Sequence, residues 1–267
     1  MIKVALAGLG AIGATVAERL MAGVPGIELV GVSDTHEPTL RQVSSTLGCS
    51  GLTGDLGRHA RNADLIIDCS ASSGFLDVAQ IAIAESCDLL TVNSATLVDH
   101  PEIADRCAGN GCRITVATGA LAGFDAVRAA AEGRIDRVVI RTRKNPRAFA
   151  GAPHVVQNGI DLTGLTEALL LFEGSVRMAA RGFPDNVNVA AGLSLAGIGP
   201  DRTETEIWAD PAVERNTHVI EVESDSTRFS IQIAGIPSPK NPRTGLLTPN
   251  SVVAALRAMA APVRVGS

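Results

Sequence analysis

The stretch IKVALAGLGAIG, residues 2–13, decides how this chain is read. An apolar run meets glycines at 8, 10 and 13, and the helical pattern AIGATVAERLMAG follows at once. A strand that turns sharply into a helix needs the backbone freedom of a glycine, which Gly8 supplies. Gly10 lets backbone approach a pyrophosphate, and Gly13 lets the helix pack closely on the strand. The N–H groups at the helix start favour the anion. Three glycines at this spacing are weak evidence alone; the strand–turn–helix context strengthens them. Gly8, Gly10, Ala11, Ile12 and Gly13 are the first candidate contacts for a dinucleotide.

Further apolar runs follow at IELVGVS (27–33), ADLIIDCS (63–70), DLLTVNS (88–94) and CRITVAT (112–118), with helix-length segments such as FLDVAQIAIAES between them. Strand–helix alternation of this kind predicts a parallel sheet joined by right-handed crossovers, an α/β Rossmann-type domain over residues 1–120. The second strand ends at Asp34, about twenty residues past the last glycine, where a carboxylate accepts hydrogen bonds from ribose hydroxyls and repels a 2′-phosphate. Thr35, His36 and Glu37 follow, with no arginine. NAD is therefore the expected cofactor; NADP stays open because His36 is a neighbour able to carry positive charge.

The pattern changes beyond residue 120. AGFDAVRAAAEG reads as a helix and RVVIRTR (137–143) as a strand. SVRMAAR and NVNVAAGLSLAGIG read as helices, the latter entered through Asp185 or Asn186 as its cap. The alternating runs TETEIWA, HVIEVES and RFSIQIAGI then predict a largely antiparallel or mixed sheet. Residues 121–240 are thus expected to form an α+β domain. In TPNSVVAALRAMA, Pro249 falls near the first turn of a last helix.

Composition narrows the class. The 267 residues are 46% hydrophobic and 19% charged, with net charge −5, one Trp and no Tyr. No basic stripe or aromatic platform suggests nucleic acid. No apolar run approaches the roughly 20 residues that span a bilayer. The start of the chain shows no basic segment followed by a cleavable apolar one, so a cytoplasmic location is expected. Five cysteines without a CxxC pair are expected to be reduced, with no metal site.

Four blocks carry a resemblance to a known family. LFEGSVRMAARGFPDNVNVAAGLSLAGIGPDRT (171–203), GALAGFDA (119–126), ADPAVERNTHVIEVE (209–223) and NPRTGLLTPNSVVAALRAM (241–259) resemble the L-aspartate dehydrogenases. The resemblance implies a Rossmann domain followed by an α+β domain for substrate and subunit contacts, arranged as in dihydrodipicolinate reductases. Residues 241–267 would pack back toward the nucleotide domain. It implies NAD contacts at Ala120 and Asn188 and a catalytic histidine at His218. It also implies a homodimer or higher homo-oligomer.

The chain departs from the family at CSASSGF (69–75), where a CAGH-like sequence is usual. It departs again at NSATL (93–97) in place of SVGAL, and at NPRTGLLTPNS (241–251) in place of NPKTSALTVYS. These departures leave open a related small amino or keto acid as substrate.

Oxidative deamination of an amino acid moves protons repeatedly, and a histidine with a pKa near 6.5 suits that work at neutral pH. Two substrate carboxylates call for cationic or hydrogen-bonding partners. Lys144, Asn241 and Thr244 are candidates, with Arg143 and Lys240 beside them; contact with the nicotinamide or ordering of the loop is the alternative for Asn241, and for Thr248. The expected reaction is NAD-dependent conversion of L-aspartate to oxaloacetate and ammonia through iminoaspartate, or its reverse. The alternatives are an imine reductase or dehydrogenase for a related acid, and a dinucleotide sensor without turnover.

Overall fold

The computed structural model describes residues 1–239 and 244–265. The chain separates into two compact units. One comprises residues 1–93, 100–117 and 248–265; the other holds 94–99 and 118–247.

The first unit is built on five parallel strands: β1 Ile2–Ala7, β2 Ile27–Ser33, β3 Leu65–Asp68, β4 Asp88–Thr91 and β5 Ile114–Val116. Their order is β2-β1-β3-β4-β5. The chain leaves β1 for one edge and returns to β3 on its other side, so a crevice opens above the carboxyl ends of β1 and β3, where open α/β sheets bind ligands. The strands are short and almost wholly apolar, as expected when helices cover both faces. Val4, Leu6, Ile67 and Leu90 meet Val16 and Leu20 of helix Ala11–Met21 in one core. Val252 and Leu256 of helix Leu247–Ala260 join the same core.

The second unit carries a mixed sheet of β6 Ile135–Lys144, β7 Leu169–Ser175, β8 Glu204–Ala209, β9 Asn216–Ser224 and β10 Arg228–Gly235, ordered β10-β9-β6-β8-β7. Only β6 and β8 run parallel. Strict alternation along β9 buries His218, Ile220 and Val222 and leaves the residues between them half-exposed. The buried face packs on helices Phe124–Ala131, Val176–Gly182 and Asn188–Ala196. The other face is a ladder of ion pairs, including Arg137–Glu204 at 2.7 Å, Arg141–Glu206 at 2.7 Å and Arg141–Glu221 at 2.9 Å. β7 is a strand the hydrophobic pattern did not single out. Its run LLLFEGS is interrupted by a register shift between Leu170 and Phe172, which breaks the alternation.

Two sequence expectations are corrected. Cys107 and Cys112 are paired in a disulfide, whereas Cys49, Cys69 and Cys87 are free and buried. Cys107 lies in the last turn of helix Glu102–Gly109, and Gly111 at φ +76° folds the chain back. The two Cα atoms are thereby 5.1 Å apart, within bridging range. The helix Asn188–Ala196 is not capped by Asp185 or Asn186: Val187 holds the cap position with no side-chain bond. Asn186 is engaged elsewhere, donating from Nδ2 to the Ala148 carbonyl at 2.8 Å. Among the described residues no helix is long and apolar enough to cross a membrane.

Candidate active site

In the first unit, the glycine loop has the geometry of an anion cradle. Gly8 sits at φ +85°, and a Cβ there would lie 2.6 Å from the Cys69 carbonyl oxygen. A Cβ on Gly13 would collide with the carbonyl of Gly8. At Gly10, by contrast, a Cβ would meet nothing within 4 Å. Two glycines are therefore required by packing, and the third leaves space above the backbone. Gly10 caps helix Ala11–Met21 and has no side chain to cover the helix start, so the positive end of the helix faces that space. Ala11 and Ile12 form the first turn.

Asp34 does two things. Its Oδ2 accepts from the Leu9 N–H at 2.6 Å and its Oδ1 from the His36 N–H at 2.7 Å. The carboxylate thus ties the glycine loop to the end of β2. With about four acceptor positions in all, it keeps capacity for a ribose diol. His36 caps helix Glu37–Leu47, its Nδ1 accepting from the Thr39 N–H. These residues fit an adenine dinucleotide: an open helix terminus for the pyrophosphate and an acceptor one strand away for the ribose.

In the second unit, polar side chains occupy positions that alternation assigns to the core. Val138, Ile140, Thr142 and Lys144 share the inward face of β6, and Thr142 stands directly opposite His218 of β9. The Thr142 hydroxyl lies 3.0 Å from His218 Nδ1. Lys144 donates from Nζ to the Asn186 carbonyl at 3.1 Å. His218 is 2% exposed and Lys144 4%. Burial, reinforced by the nearby Lys144 charge, lowers the His218 pKa to about 3. Burial lowers that of Lys144 to about 8. The expected histidine pKa near 6.5 is therefore corrected: the imidazole is held neutral, and the lysine is the group that titrates near physiological pH.

Other candidates lie around the start of helix Asn188–Ala196. Asn188 accepts the Ala95 N–H on Oδ1 at 2.9 Å, and its carbonyl accepts the Ser94 hydroxyl at 2.5 Å, so it caps helix Ser94–Asp99. The turn holding Ala120 packs beside the start of helix Asn188–Ala196, with a Cβ on Gly119 only 3.7 Å from Val189. A Cβ on Gly245 would lie 3.6 Å from Ala120, which puts the adjacent Thr244 in the neighbourhood of that turn. Lys240, Asn241 and Arg243 lie outside the described residues.

Arg143 is not part of the His218–Thr142–Lys144 group. It points to the opposite face, 3.2 Å from Asp210 and 4.7 Å above the Trp208 ring. Sequence reasoning missed Thr142 and Asn186. The period-2 alternation of VVIRTRK contained the signal for Thr142, because it places a threonine and a lysine on the apolar face. Asn186 acts through its backbone, which no side-chain pattern announces. Among the described residues no cluster of three or more His, Cys, Asp or Glu side chains could hold a metal ion.

A parallel sheet with an open glycine turn and a second unit bearing buried ionisable groups fits the class of two-unit, dinucleotide-dependent oxidoreductases. Comparison with known proteins makes this specific. Residues 8–117 match the homoserine dehydrogenase NAD-binding domain, and residues 125–259 match the C-terminal domain of aspartate dehydrogenase. The chain is 44% identical to L-aspartate dehydrogenase 3 of Bordetella bronchiseptica, covering 99% of this chain and 97% of that one. It is 44% identical to the L-aspartate dehydrogenase of Bradyrhizobium diazoefficiens, covering 100% and 94%. The fold matches the crystal structure of aspartate dehydrogenase from Thermotoga maritima with a TM-score of 0.75 over the full length of both chains, at 20% identity. The chain belongs to the aspartate dehydrogenase family.

Proposed function

We propose that this protein oxidises L-aspartate with NAD, releasing ammonia and oxaloacetate through iminoaspartate, or runs the reverse reductive amination. The observation that carries this reading is the buried His218–Thr142–Lys144 group, lodged at core positions of a chain that matches L-aspartate dehydrogenases along its whole length. Burying a cation and an imidazole together is costly, and a folded domain gains nothing from it that leucines would not supply.

Bound NAD supplies the hydride acceptor. The chain's own residues supply binding and proton transfer. Gly8, Gly10, Ala11, Ile12 and Gly13 would hold the pyrophosphate, Asp34 the adenosine ribose, and Ala120 and Asn188 further parts of the dinucleotide. Lys144, in its cationic form, takes a substrate carboxylate, with Thr244 and Asn241 as additional polar partners. Thr142 fixes the Nδ1 side of the His218 ring, which leaves Nε2 to exchange protons with the substrate amine and with the attacking water. Burial is the larger cause of the lowered His218 pKa and the Lys144 charge the smaller; an anionic substrate beside Lys144 offsets the latter. His218 thereby becomes a stronger base when substrate is present than when it is absent.

NADP is the weaker cofactor in this reading, because Asp34 faces the ribose and His36 is committed to its helix cap. The family suggests a homodimer or higher homo-oligomer as the working form, and the sequence reading suggests the cytoplasm. The test is the formation of NADH absorbance when purified protein meets NAD and each of a panel of amino acids. Turnover with aspartate above all others supports the proposal. Turnover only with another small amino acid favours the related-substrate reading, to which the departures at 69–75 and 93–97 point. Cofactor binding without turnover on any amine contradicts an enzymatic role.

A further inference from the structure

A second buried ionisable group, in the first unit, has no part in the mechanism above. Asp68 is the last residue of β3 and is fully buried. Its Oδ1 accepts from the Ser70 N–H at 3.1 Å and from the Ser70 hydroxyl at 2.5 Å. Its Oδ2 accepts from the Thr91 hydroxyl at 2.6 Å and from Asn93 Nδ2 at 2.9 Å. The Thr91 oxygen itself accepts the Asn93 N–H at 2.8 Å, so its own proton is directed to Asp68. Both carboxylate oxygens are thus met by donors, and two of those donors, a backbone N–H and an amide NH2, cannot accept. This is the hydrogen-bond pattern of an ionised carboxylate. Burial holds the Asp68 pKa above the ordinary carboxylate range, and the bonds from Ser70, Thr91 and Asn93 offset only part of that rise, so it is the donor geometry that points to an ionised carboxylate. No ion pair among the described residues includes Asp68. A charge held without a counter-ion is unusual, because a buried carboxylate ordinarily acquires a partner.

Its place in the sheet says what could complete it. Asp34 at the end of β2 marks the adenosine side, and the glycine loop after β1 marks the pyrophosphate. The other nucleotide of a dinucleotide therefore runs over the ends of β3 and β4, on the far side of the switch in strand order. Asp68, Thr91 and Asn93 lie at those ends. The segment just after Asp68 also touches the glycine loop, since a Cβ on Gly8 would lie 2.6 Å from the Cys69 carbonyl oxygen. The nicotinamide ring carries a positive charge when oxidised and none when reduced, whereas the pyrophosphate is the same in both.

We infer that Asp68 is a specificity-determining residue for the oxidation state of the cofactor: its buried carboxylate favours the cationic nicotinamide of NAD+ over the neutral ring of NADH. The inference rests on the dinucleotide site proposed above. A fixed unit charge in a protein environment of effective dielectric near 20 changes such a preference on the order of tenfold.

The test is equilibrium binding of NAD+ and of NADH, each measured by calorimetry, to the full-length protein and to Asp68→Asn. The expected result is that NAD+ weakens on the order of tenfold relative to NADH, because the substitution removes charge and keeps shape. If Asp68→Asn does not fold, Asp68→Ser, which leaves room for water among the same donors, should shift the ratio in the same direction. Ser70→Ala keeps the charge and removes one bond, and should leave the ratio near that of the unmodified protein. Equal weakening of both forms by Asp68→Asn would make Asp68 a structural clamp alone and overturn the inference, as would an unchanged ratio. Failure of the unmodified protein to bind either form would instead overturn the dinucleotide site itself.

Discussion

In the proposed mechanism the two sheets contribute by opposite means. In the first unit, the parallel sheet presents backbone: an open helix terminus, a glycine at positive φ and a carboxylate that braces the loop. In the second, the mixed sheet presents side chains, with His218, Thr142 and Lys144 at positions that would otherwise hold aliphatic residues. The first device relies on glycines, whose missing side chains let a ligand approach the backbone. The second works because something polar fills a space in the core, at an electrostatic cost seen in both lowered pKa values. A site made of absence tolerates no added atoms, whereas a site made of buried polar groups tolerates no loss of partners.

Breaking the second device should have the larger effect on turnover. Replacing His218 with Asn keeps a polar side chain of similar size but removes the proton-exchanging ring. Turnover should fall by roughly two to four orders of magnitude, while the dissociation constant for NAD stays close to that of the unmodified protein. Steady-state rates and calorimetry on the same preparation separate the two. Turnover near the unmodified value would remove His218 from the mechanism.

Breaking the first device should act on binding. Asp34→Ala removes both a ribose acceptor and the bond to the Leu9 N–H. NAD should weaken by about ten- to a hundredfold, the worth of one or two charge-assisted bonds, and discrimination against NADP should relax. Equal and unchanged affinities for NAD and NADP would contradict the ribose assignment.

The smallest effect is expected one residue from a large one. Arg143 and Lys144 are neighbours in sequence, yet alternation puts them on opposite faces of β6. Arg143→Ala loses a partly exposed ion pair to Asp210 and its stacking on Trp208. Stability should drop by no more than about 1 kcal/mol, and kcat should hardly change. A large loss of kcat would mean that the outward face of the sheet takes part in the chemistry.

What could be read in the sequence follows the same division. The glycine loop and Asp34 were legible because backbone constraints write themselves as residue types at fixed spacing: only glycine serves at Gly8 and Gly13. The five strands of the first unit were legible because burial on both faces makes them continuous apolar runs. His218 was legible only through family resemblance, since a histidine at the start of an alternating run is the same string whether it is buried or solvated. Its partner Thr142 was hidden for a different reason. Period-2 alternation puts it on the core face, but only the register of β6 against β9 sets it opposite His218. That register is a long-range fact, linking residues 76 apart. Asp68 was passed over because it ends an apolar strand, where an aspartate reads as the start of a loop. The Cys107–Cys112 pair depends on a glycine turn that closes a short helix, not on a spacing rule.

In the proposed mechanism a buried lysine, cationic below about pH 8, receives the substrate beside a neutral His218. The dependence of kcat/KM for aspartate on pH tests it most directly, because that quantity reports the ionisations of the free enzyme. Lys144 loses its proton as pH rises through about 8, so kcat/KM should fall above that value. The substrate amine acts in the opposite sense, since losing its proton assists the reaction. In Lys144→Arg the side chain stays charged at every accessible pH, and the descending limb near pH 8 should vanish, whatever the absolute rate. The same limb in both proteins would show that Lys144 is not the group that receives the substrate.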